Sequence, residues 1–147
     1  MSIEFLTDVF AENADTEAIA WRGEVVNYGW LHDRVNAWRE TLSREGVSTG
    51  TVVALEADFS PNSVAAFLAL VDAGAILVPL TSSVAAKRED FLRIAEVELS
   101  IAIGRDDSER FERLGREAGH EFYSVLRERE SPGLVLFSSG STGESKA

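Results

Sequence analysis

The chain carries 147 residues, 45% of them hydrophobic and 27% charged, with 25 acidic side chains against 14 basic ones. That length suits one domain with a true core, and a net charge of -11 sets it against nucleic-acid phosphates and anionic membranes. There is no cysteine, which excludes disulfides, thiolate metal sites and a cysteine nucleophile, and His32 and His120 show no metal-ligand spacing.

The first residues lack the basic-then-apolar pattern of a signal peptide, and a cytoplasmic protein is expected. Phe5, Leu6, Val9 and Phe10 fall on one face of a short first helix. Residues 18–21 and 24–27 flank Arg22-Gly23 and read as a hairpin. Asn27 caps a helix over residues 28–45, with Leu31, Val35, Trp38 and Leu42 as its apolar stripe and Gly46 as its stop. Residues 51–57 form an apolar strand. Ser60-Pro61 then opens a helix that carries Val64, Phe67, Leu68 and Val71 inward and ends at Gly74.

Residues 76–80 read as a strand buried on both faces. The tract from 64 to 80 is interrupted by Asp72, Gly74 and Pro79, so it is a helix, a turn and a strand rather than a membrane span. A charged amphipathic helix is expected over 86–98, a strand over 100–103 and a surface helix over 107–118. Residues 122–126 fit helix and strand equally, and 133–137 form a last apolar strand. Alternating strands and helices predict an α/β fold with a largely parallel sheet flanked by helices.

The final strand runs into Ser138, Ser139, Gly140, Ser141, Thr142, Gly143, Glu144, Ser145 and Lys146. These nine positions hold five hydroxyls, two glycines and a lysine. Composition alone suits a flexible Ser/Gly tail. The apolar strand before and the lysine after point instead to phosphate binding at the carboxyl end of a strand. There glycines let backbone N–H groups approach an anion, hydroxyls donate further bonds, and lysine adds a point charge. It is not a Walker A loop, because Ser145 rather than glycine precedes Lys146 and Ala147 follows it.

The loop resembles the phosphate-binding signature of the adenylate-forming enzymes. These comprise acyl- and aryl-CoA synthetases, luciferases and the adenylation domains of nonribosomal peptide synthetases. Their signature runs as two hydroxyl residues, Gly, a hydroxyl residue, Thr-Gly, any residue, Pro or Ser, then Lys, and residues 138–146 fit it throughout. Two upstream stretches are similar to the same family: "VVNYGWLHDRVNAWRETLSREGVSTGTVVAL" and "SPNSVAAFLALVDAGAILVPL". Asn27, Thr51 and Asp72 depart from residues common there, and all three are expected to be structural.

The resemblance implies an ATP-dependent carboxylate ligase that forms an acyl-adenylate and pyrophosphate. It also implies Mg²⁺ with the nucleotide, the acyl- or aryl-CoA synthetase branch, and acyl transfer to coenzyme A, with a carrier-protein pantetheine thiol as the other acceptor. Ser138, Ser139, Gly140, Ser141, Thr142, Gly143 and Lys146 would cradle the β- and γ-phosphates. The family's later segments, including its catalytic lysine, have no counterpart in these residues. The chain is therefore expected to be the N-terminal part of a longer enzyme, with no catalytic residue of its own and inactive alone. A free-standing nucleotide-binding module, half of a split enzyme and an inert structural fragment are the alternatives. Part of the sheet is expected to stay uncovered, which favours oligomers.

Overall fold

A computed structural model describes residues 3–138. Helix α1 (Glu4–Glu12) leads into a separate two-stranded hairpin, β1 (Glu17–Trp21) and β2 (Glu24–Asn27). Both turn residues, Arg22 and Gly23, take positive φ, as a tight two-residue hairpin demands. Asn27 caps α2 (Tyr28–Arg44), its side-chain oxygen accepting from the Trp30 N–H at 2.8 Å. Gly46 ends that helix with a φ of 68°.

The main sheet has the order β6-β5-β3-β4-β7. Strands β3 (Val52–Glu56), β4 (Ile76–Leu80), β5 (Leu99–Ile103) and β7 (Gly133–Leu134) are parallel, and β6 (Glu109–Arg113) runs antiparallel to β5. Helices cover both faces. On the first, Val53, Leu55, Leu77, Leu99 and Ile101 pack beneath α2 and α3 (Pro61–Asp72). On the second, Val52, Ala54, Ile76 and Val78 meet α4 (Arg88–Ile94) and α5 (Glu121–Glu128). The architecture is thus the expected α/β sandwich around a mostly parallel sheet. Among the described residues no helix is long and apolar enough to cross a membrane.

The three atypical residues are structural in the fold. Asp72 accepts from the Ile3 N–H at 2.9 Å and from Arg39 Nε at 2.7 Å, fastening the start of the chain to α3. The Thr51 hydroxyl accepts from the Ser48 N–H at 3.1 Å. Asn27 is the cap just described.

Other expectations are corrected. Residues 107–118 hold no helix. Asp107 takes a left-handed φ of 58°, the chain reverses, and β6 completes the open edge of β5. The helix expected over 86–98 is a 3₁₀ segment (Ser82–Lys87) followed by α4, which ends where Glu96 takes a φ of 51° and the Val97 N–H reaches back to the Leu92 carbonyl. In α1, Phe10 is buried, yet Phe5 and Val9 are exposed. In α3, the fully buried set is Ala65, Ala66, Ala69 and Leu70, while Val64, Phe67, Leu68 and Val71 are only partly covered. Residues 122–126 lie within α5, where the Tyr123 hydroxyl donates to the Ala95 carbonyl at 2.9 Å.

The last strand is shorter than the expected 133–137, and Pro79 supplies the reason. In β4 the even-numbered residues bond toward β3, as the Ile76 N–H does to the Thr51 carbonyl. The odd-numbered ones face β7: the Ala75 and Leu77 carbonyls accept from the Gly133 and Val135 N–H groups at 3.1 and 2.8 Å. Residue 79 would donate next in that direction, but proline has no N–H. The β4–β7 ladder stops there, and the chain leaves it with a single further bridge at Ser138.

Candidate functional site at the carboxyl end of the sheet

The released chain keeps the alternation of a strand. Leu134 and Leu136 turn toward the first face; Val135 and Phe137 join the second. The Phe137 ring stacks on buried Phe91 of α4, with centroids 3.9 Å apart and planes 11° from parallel. This stack fixes the point from which exposed Ser138 departs. Of the predicted site residues, Ser138 is thus at the carboxyl end of a strand parallel to β4. Ser139, Gly140, Ser141, Thr142, Gly143 and Lys146 lie outside the described residues.

Two hollows open at this same end, one on each face, with Ala57, Asp58 and Thr81 forming a shared rim. The first is an apolar groove of about 370 Å³ beside α3, floored by Phe67, Leu68 and Pro79. Phe59, Leu134 and Leu136 stand around it at 72%, 54% and 62% exposure. The residues expected in the core of α3 are therefore divided between core and groove.

The second hollow is a polar cleft of about 310 Å³ where β3, β4 and β5 end. Arg88 crosses its floor, reaching Glu56 at 2.7 Å, Glu112 at 2.7 Å and Glu89 at 2.6 Å. These carboxylates, Glu56 foremost, push its guanidinium further above its usual pKa. Glu56 also accepts from the Ser100 hydroxyl. Asp58 at the rim takes the Ser82 hydroxyl at 2.9 Å, and that bond, helped by Arg105 and Arg22, holds its carboxyl below the usual aspartate value. Sequence reasoning missed this cleft. Its signal was position: Glu56, Thr81 and Arg105 each stand at or just beyond the end of an apolar strand, where α/β sheets present ligand groups. Among the described residues no cluster of three His, Asp or Glu side chains could hold a metal.

Residues 6–147 match the family model described as AMP-binding enzyme, and the chain belongs to that family. It is 31% identical over 146 residues to phenyloxazoline synthase MbtB of Mycobacterium sp. (strain MCS), covering 92% of this chain and 12% of the relative. It is 28% identical over 158 residues to the hybrid PKS-NRPS synthetase iliA of Neonectria sp. (strain DH2), covering 95% of this chain and 4% of that one. Among solved structures, the Klebsiella oxytoca NpsA N-terminal subdomain in complex with 3-hydroxybenzoyl-AMSN superposes with a TM-score of 0.69 at 21% identity, over 99% of this chain and 39% of that one. An artificially fused NpsA-ThdA adenylation–PCP di-domain, also from Klebsiella oxytoca, matches with a TM-score of 0.67 at 18% identity, over 98% and 29%. The chain thus spans a small part of the curated relatives it matches and about two fifths of the NpsA subdomain.

Proposed function

We propose that the chain is the N-terminal portion of an adenylating domain that activates a carboxylic acid with ATP. A carboxylate oxygen of the acid attacks the α-phosphorus, the bond from that phosphorus to the bridging oxygen breaks, and pyrophosphate leaves with the bonding pair. Ser138, Ser139, Gly140, Ser141, Thr142, Gly143 and Lys146 hold the β- and γ-phosphates, so that charge gathering on the leaving group meets N–H, O–H and ammonium donors. Mg²⁺ bound to the ATP phosphates would supply charge neutralisation. The acyl group then passes to a thiol. The synthetase relatives and the neighbour fused to a PCP favour a carrier-bound pantetheine over coenzyme A, and an amino or aryl acid as the substrate.

The observation carrying this reading is the release of the chain, just before its hydroxyl- and glycine-rich run, at the carboxyl end of a parallel strand. The apolar groove beside β7 is where we place the covering layers that the rest of such a domain supplies.

The test uses a complete enzyme containing this segment. A charge-assisted contact from Lys146 to phosphate is worth about 1.5–3 kcal/mol. Lys146→Ala should therefore slow acid-dependent pyrophosphate exchange roughly tenfold to a little over a hundredfold, at about 1.4 kcal/mol per decade. Transfer from synthetic acyl-adenylate, which has no β- or γ-phosphate, should be unaffected. Equal losses in both assays would refute the phosphate role. The 147-residue chain alone should show no exchange.

A further inference from the structure

The polar cleft occupies a special place in the winding of the sheet. After β3 the chain leaves for α3 on the first face; after β4 it leaves for α4 on the second. Adjacent strands whose connections part to opposite faces leave a crevice between their carboxyl ends, the place where open α/β sheets take ligands. The cleft opens on that crevice through Ala57, Asp58 and Thr81, the rim it shares with the apolar groove on the other face.

Its arginines do two different things. Arg88 is committed to Glu56, Glu89 and Glu112 and knits the floor together. Arg105 and Arg110 also line the cleft, and among the described residues neither side chain makes a hydrogen bond or a close ion pair, although the Arg105 charge acts on Asp58. Both are exposed. Arg105 stands in the turn of the β5–β6 hairpin and Arg110 on β6, in register with Ala102. The turn between the arms is closed by the Gly104 N–H on the Ser108 carbonyl at 2.8 Å and by the Ser108 hydroxyl on Asp106 at 2.6 Å. A Cβ at Gly104 would stand 2.6 Å from the ends of both of those side chains, which would have to shift. Arg105 leaves from this hydrogen-bonded turn.

Three of the chain's 14 basic side chains line this cleft, Arg88 being matched by Glu56, Glu89 and Glu112. The lining carboxylates, Glu56 and Asp58, already accept Arg88, Ser100 and Ser82. Two guanidinium groups remain with their donors free. A phosphoryl group, with a charge of about -1.5 to -2 and three acceptor oxygens, offers the two guanidiniums more than Asp58 offers Arg105 alone, and more than a single carboxylate does.

We propose that this cleft is a second anion site of the domain, taking a phosphoryl-bearing ligand on Arg105 and Arg110 independently of the glycine-rich loop. The inference stands apart from the adenylation reading, because none of the residues it uses belongs to that loop.

Inorganic pyrophosphate is the probe, titrated into the 147-residue chain while the side-chain Nε–H signals of arginine are followed by NMR. Saturable shifts of the Arg105 and Arg110 signals are expected. Arg105→Gln and Arg110→Gln should each weaken binding roughly tenfold, the loss of one charge-assisted contact. Both variants should keep the wild-type melting temperature, since these side chains hold nothing in the fold. Lys146→Ala should leave the shifts in place. Shifts that vanish in Lys146→Ala and survive in the arginine variants would overturn the proposal while supporting the loop assignment. Non-saturating shifts would overturn it, and so would equal binding of acetate.

Discussion

Replacing Phe137 by alanine isolates the contact that holds the chain just before Ser138. Truncating a fully buried phenylalanine costs about 3–5 kcal/mol. Phe137 is only half-buried, so about 2 kcal/mol is expected, of which the stack on Phe91 supplies about 0.5–1.5 kcal/mol beyond area. For a chain of this size that loss lowers the melting temperature by about 4–8 °C. Phe91, 5% exposed, should cost the full amount when truncated. The double variant should then be less destabilised than the sum of the singles, by the same 0.5–1.5 kcal/mol or so. The assay is urea unfolding of the four proteins, read by tryptophan fluorescence. A cycle that closes additively would show that the rings merely adjoin. Ser138 would then need another anchor.

Two further outcomes follow from named side chains. Asn62 Oδ1 accepts from Trp38 Nε1 at 2.8 Å and from Arg34 Nε at 2.7 Å, while its own amide nitrogen is buried without a partner. Asn62→Ala orphans the Trp38 N–H and should cost about 1–3 kcal/mol. Asn62→Asp keeps both acceptances and removes the unpaired nitrogen, so it should cost less in the same urea assay; the reverse order would refute this account. The exposed pair Leu134 and Leu136 should make the chain associate as concentration rises. Leu134→Glu with Leu136→Glu should restore a monomer in sedimentation, and concentration-independent sedimentation of the wild type would count against a sticky groove.

Periodicity and capping residues made most of the fold legible. The Asn27 and Ser60 caps, the stripe of α2 and the buried run of β4 are local signals that the tertiary structure left standing. The strand β6 was not legible, because Phe111 and Leu114 are spaced as neighbours on one helix face. In the fold they lie on opposite faces of the sheet, Phe111 against Trp38 and Leu114 with the α4 cluster. The unpaired edge of β5 decided the matter, and no local pattern records it. In α3, reading the large apolar residues as the core misjudged the helix. Its close seat against the sheet admits alanines, and the bulky side chains are displaced toward the groove. The glycine-rich loop was visible as composition. The arginine cleft was not, since Glu56, Arg88 and Arg110 meet only once three strands have assembled.

Proline at position 79 has a consequence before the domain is complete. During synthesis β3, β4, β5 and β6 emerge well ahead of β7, and for that interval β4 is a bare edge. An edge with an unbroken row of donors invites a strand from a neighbouring nascent chain. Pro79 interrupts the row that faces outward, so a stray strand finds little more purchase than the carbonyls of Ala75 and Leu77 that β7 itself will use. One missing N–H thus makes the growing polypeptide a poorer template for its neighbours and later marks where the β4–β7 ladder ends.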